Sequence, residues 1–141
     1  MNKKAVEKYL PLAIEALNDP QCKIQDKNSD ESFSGKISKT YRGQISSFGA
    51  AVTMGSFKAA VAFFSNKAGS SVEREQLVRA MYYIVKTFEN ENKKAEHWKD
   101  APKIAEEIIK TPQENIPALK EKFINASLAL KLAMNAFDLY K

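Results

Sequence analysis

Apolar residues recur every three to four positions along almost the whole chain, and this period limits its fold more than any other feature. Side chains at that spacing share one face of a helix, so each run must bury its stripe against another helix. The first run covers 2–18, with Val6, Tyr9, Leu10, Ala13, Ile14 and Leu17 on the apolar side, and Asp19-Pro20 ends it. The second covers 36–54, where Ile37, Tyr41, Ile45, Phe48 and Val52 form one stripe and Gly55 stops it. The third, 56–66, is apolar nearly all round from Phe57 to Phe64, which predicts a helix buried centrally or at an interface. Gly69 ends it.

Ser70 and Glu73 then stand at capping-box spacing before a fourth helix. That helix carries Leu77, Met81, Ile84 and Phe88 on one face, with Val78, Tyr82 and Val85 beside them. Ile104, Ala105, Ile108 and Ile109 mark a short fifth. The last begins at Thr111-Pro112 or near Pro117 and is expected to run to the end of the chain. It bears two stripes, Leu119, Phe123, Ala126, Leu130, Ala133 and Phe137 on one side and Ile124, Leu128, Leu132 and Leu139 on another. It should therefore pack on both sides. Residues 20–34 are polar and read as an exposed or disordered loop, and 89–100 are charged and should fray or turn. With no alternating run, repeat or linker, the expectation is all-α: a compact bundle of five or six helices forming a single domain over 1–141.

Charge is distributed unevenly. No Asp or Glu occurs between Glu31 and Glu73, while Lys36, Lys39, Arg42, Lys58 and Lys67 lie inside that block and match the whole net charge of +5. A block of one sign attracts polyanions, of which nucleic acid is the commonest. On a second helix over 36–54, Lys36, Lys39 and Arg42 fall opposite the buried stripe, together with Ser46, Ala50 and Thr53. The plainer reading of such a block is a solvated face.

Groups that could support catalysis do not converge. His97, beside Trp98, is the one histidine, and Cys22 the one cysteine, so neither can assemble a zinc site. Glu96 and Asp100 flank the histidine, but exposed acids beside a histidine are usually structural company. Ser34-Gly35-Lys36 resembles the end of a phosphate-binding loop, yet Asp30 and Ile37 replace its first glycine and its metal-binding hydroxyl. Glu106 and Glu107 are neighbours on a helix and point about 100° apart. The aromatics, Tyr41 included, sit at core spacing rather than as platforms for bases. No catalytic residue, metal or cofactor is assigned.

A lone cysteine cannot form an internal disulfide, which fits a reducing compartment. Met1-Asn2-Lys3-Lys4 is followed by Glu7, Lys8 and Pro11 rather than by the apolar stretch of a signal peptide. No apolar run approaches the roughly 20 residues of a membrane span, so a cytoplasmic protein without membrane contact is expected.

The segment from Tyr41-Arg-Gly-Gln-Ile-Ser-Ser-Phe to Gly55-Ser-Phe-Lys-Ala-Ala-Val-Ala-Phe-Phe-Ser-Asn-Lys67 resembles the small subunit of the type III-B CRISPR effector, the Cmr complex (its fifth subunit). That family has an amphipathic helix, a glycine break, and an apolar helix ending in Ala-Phe with a basic tail, here Ala62-Phe63 and Lys67. Leu128-Ala-Leu-Lys-Leu-Ala-Met-Asn-Ala-Phe is similar to its last helix, and length and helix order agree over essentially the whole chain. The resemblance implies a non-catalytic subunit of a guide-RNA complex that silences invading RNA in antiviral defence. Its partners would be the other Cmr subunits, guide RNA and target RNA, with head-to-tail self-association along the target channel. Lys39, Arg42 and Lys67 fall where the family is basic, with Arg74 and Arg79 on the next helix as further candidates. The alternatives are the small subunit of the sister type III-A complex, also helical and basic, and a helical adaptor that binds only protein.

Overall fold

The computed structural model describes residues 2–66 and 72–140. Six α-helices appear in chain order: α1 (Lys3–Leu17), α2 (Thr40–Met54), α3 (Phe57–Phe64), α4 (Glu75–Glu89), α5 (Ala101–Ile109) and α6 (Ile116–Ala133). Three short strands accompany them: β1 (Gln25–Lys27), β2 (Phe33–Ser38) and β3 (Asp138–Tyr140). The protein is thus mostly helical but not all-α.

The helices follow the periodicity. On α2, Tyr41, Ile45, Phe48 and Val52 are buried, and on α4 Leu77, Val78, Met81, Tyr82, Ile84 and Val85 are buried. The α4 helix packs on α1, α5 and α6, and α6 packs in addition on α1 and α2, so these two share the centre. Of the two stripes expected on α6, Phe123, Ala126, Leu130 and Ala133 are buried, whereas Ile124 and Leu128 are only half-buried and Leu132 is exposed. The rings of Phe48 on α2 and Phe64 on α3 meet edge to face at 5.4 Å. Removing each from water stabilises the fold by about 1.5–3 kcal/mol.

Four expectations change at helix ends and in the predicted loop. Residues 20–34 are largely ordered: Cys22 and Ile24 are fully buried, and β1 pairs antiparallel with β2. The second helix begins at Thr40, because 33–38 are the central strand of the sheet, paired with β3 in parallel through Lys36, Ile37 and Ser38. Ile37 is buried all the same, which is why its i,i+4 relation to Tyr41 reads as helical. The last helix ends at Ala133; a 3-10 turn over Met134–Ala136 follows, and the chain then becomes β3. Segment 91–97 is also 3-10, and its end is anchored rather than frayed, with His97 and Trp98 buried. Gly69 and Ser70, assigned above to a helix stop and a capping box, lie outside the described residues, as does Lys67.

Strands of three residues cannot display alternation, and their hydrogen bonds go to partners more than 100 residues away in the case of β3. Gly35 sits in β2 at φ +75°, a left-handed conformation that a glycine adopts without strain.

Candidate nucleic-acid interface

The sheet and the first turn of α2 meet at a junction that carries exposed cations. Ile37 and Ser38 point inward from the end of β2, leaving Lys36 and Lys39 exposed on either side of them. The Lys39 amide donates to the Tyr140 carbonyl at 2.6 Å, and the Tyr140 hydroxyl donates to Asp26, so the C-terminal strand fixes the junction. Arg42 follows in the first turn of α2, half-buried, with its Nε out of solvent and without a hydrogen-bond partner among the described residues.

A fourth cation reaches this face from α6. Lys131 Nζ donates to Ser46 Oγ at 2.7 Å, and Ser46 Oγ donates to the Arg42 carbonyl at 3.3 Å. Sequence patterning missed Lys131, because only the packing of α6 on α2 brings it there. Asp138 is in register with Lys36 on the neighbouring strand, and Glu73 and Glu75 act on Tyr41, the residue before Arg42. Among the described residues no ion pair involves Lys36, Lys39, Arg42 or Lys131. The ion pairs join Lys94 to Glu15, Lys99 to Glu107, Lys110 to Glu106 and Lys122 to Glu89.

The local electrostatics of α2 run against stability. Its capping position is held by Lys39, whose side chain caps nothing, and its first turn has no acid. A helix start already carries partial positive charge, so Lys39 and Arg42 are placed where cations are unfavourable and an anion is welcome.

The remaining candidates have other employment. Lys58 Nζ donates to the carbonyls of Ile109 and Thr111 at 2.9 and 3.0 Å, closing the C-terminal end of α5, where carbonyls lack helical partners. Arg79 donates through Nε to the Lys99 carbonyl and through Nη1 to the Gln21 carbonyl and to Gln76 Oε1, and its guanidinium lies over Trp98. Arg74 is buried, with its guanidinium 4.3 Å from the centre of the Phe63 ring.

His97 is buried rather than exposed as its sequence neighbourhood suggested, with Nδ1 2.9 Å from the Thr87 hydroxyl; desolvation holds its pKa below the ordinary histidine value. Burial pushes the Cys22 thiol up to about 12, which leaves it an inert core group. A cavity of about 470 Å³ between α4, α5 and α6 is lined by Tyr82, Lys86, Glu89, Glu107 and Lys122 among others. Two of its acids are neutralised, Glu89 by Lys122 and Glu107 by Lys99. Among the described residues no three His, Cys, Asp or Glu side chains gather in an arrangement able to hold a metal ion, and no helix is long and apolar enough to cross a membrane.

No family model matches the chain, and neither the curated proteins nor the solved structures include a significant match to it.

Proposed function

We propose that this protein is a non-catalytic RNA-contacting subunit of a multi-protein guide-RNA effector, of the kind represented by the small Cmr subunit of type III-B CRISPR systems. The observation that carries the reading is the start of α2: an uncapped helix end with Lys39 and Arg42 in place of acids, flanked by Lys36 and Lys131 and free of ion pairs. Such a surface suits phosphates, which it would grip without reading sequence. The resemblance noted above, from Tyr41 to Lys67, supplies the kind of assembly. Four phosphates neutralised on a single strand give a log-log salt slope of about −2.8, so the isolated chain binds weakly and repeated copies are needed for useful affinity.

The test is Lys39→Glu with Arg42→Glu. Lys39 is exposed and Arg42 half-buried, and acids at a helix start offset the burial lost, so stability should change by no more than about 1 kcal/mol. Affinity of the assembled complex for target RNA should fall at least about tenfold, equally for unrelated sequences. A double variant that assembles and holds RNA like the wild type would make this face merely solvated and favour the protein-only adaptor.

A further inference from the structure

Phe63 departs from the pattern of its own helix. Phe57, Ala60, Val61 and Phe64 on α3 are buried, while Phe63 is 58% exposed. An exposed phenylalanine costs solubility and contributes little to the core, so its surroundings are informative. Arg74, at the start of α4, lies with its guanidinium 4.3 Å from the Phe63 ring centre, over the ring, and is itself only 8% exposed. Phe64 meets Phe63 edge to face at 5.8 Å. The ring is thus held on one face by a cation and at one edge by a neighbour, and more than half of the residue is exposed.

A cation beneath an aromatic ring draws on its negative face. A cation held there fixes the ring in place, and a fixed, exposed aromatic ring offers a π face on which any planar base can stack. Unpaired nucleobases stack in this way, and a phenylalanine with one free face is the usual platform for them. The location agrees. Tyr41, one residue before Arg42, lies against the backbone of Glu73, which immediately precedes Arg74. That contact ties the start of α4, where Arg74 stands, to the start of α2, where Arg42 stands. Glu73, next to Arg74 in sequence, is exposed and would repel a phosphate at this point.

We propose that Phe63, backed by Arg74, is a stacking platform for an unpaired base of a single-stranded RNA whose backbone runs over Lys39 and Arg42. The inference rests on the reading of the β2–α2 junction given above and adds a contact that is not ionic.

The experiment measures binding of the full chain to a fluorescent oligouridylate and to the same oligomer with abasic positions, at several salt concentrations. Phe63→Ala should weaken binding to the base-bearing strand roughly tenfold or more, leave the abasic strand unaffected, and leave the salt slope unchanged. Phe63→Trp should bind at least as well as wild type, and Phe63→Leu, which keeps apolar bulk without a π face, should behave like alanine. Because most of Phe63 is exposed, all three variants should fold, with Phe63→Trp melting as the wild type and Phe63→Ala and Phe63→Leu melting somewhat lower through loss of the Arg74 contact. If wild type binds the strand with the expected salt slope and Phe63→Ala binds equally well, the platform is wrong while the junction reading stands. If Phe63→Ala changes self-association in sedimentation but not RNA affinity, the ring is a protein contact and the inference fails. If wild type binds neither strand even at low salt, where a four-phosphate contact is strongest, the junction reading fails and the platform with it.

Discussion

Lys94, Lys99, Lys110 and Lys122 each hold a carboxylate within 3.4 Å, and Arg79 spends three hydrogen bonds inside the molecule. Lys36, Lys39, Arg42 and Lys131, at the β2–α2 junction, have no ion-pair partner among the described residues. Exposed ion pairs contribute little to stability, so the contrast concerns availability more than strength. Around α4 and α5 these five cations are occupied with the protein's own acids and carbonyls. At the junction they remain free to meet an external polyanion. A count of basic residues treats the two regions alike.

The sharpest way to break this contrast is Arg79→Ala. It removes the donors to the Gln21 and Lys99 carbonyls and the guanidinium from Trp98, and should destabilise the fold by about 1–3 kcal/mol in urea denaturation. RNA affinity of the folded protein should stay unchanged. A variant that melted normally but lost RNA would move Arg79 into the binding face.

Lys131→Ala sharpens the other side of the contrast. Stability should be nearly unaffected, while the salt slope of RNA binding should shrink by about 0.7, the value of one single-strand phosphate contact. An unchanged slope would remove Lys131 from the face and leave it a partner of Ser46 alone.

The smallest effect is expected from pH. His97 has its pKa lowered by desolvation, so the folded state resists protonation that the unfolded chain accepts. Stability is fully present above the ordinary histidine value and declines as pH falls below it. Thermal melts at pH 7.5 and 5.5 should differ in that direction, and His97→Gln should reduce the difference. An identical shift in the variant would place its origin in other groups.

The stripes of α2 and α4 were legible because helical spacing is a local rule: Tyr41, Ile45, Phe48 and Val52 announce their shared face without reference to the rest of the chain. The exposure of Lys39 was legible too, although for an incomplete reason. It follows from the buried Ile37 and Ser38 at the end of β2 and from the turn into α2, not from the back of one continuous helix. Phe63 was misplaced because a helix apolar all round gives no clue to which ring faces out.

By itself, then, the sequence determined the helical segments, most of their buried faces and the acid-free block around α2, since each depends on residues within a few positions of one another. Only the tertiary structure decided that residues 25–27, 33–38 and 138–140 form a sheet, and that Lys131 joins Arg42. It also decided that Lys58 and Arg79 turn inward while Lys36 and Lys39 do not. Strand pairing and hydrogen-bond partners join groups far apart along the chain, and their distances are set only when the whole core has closed.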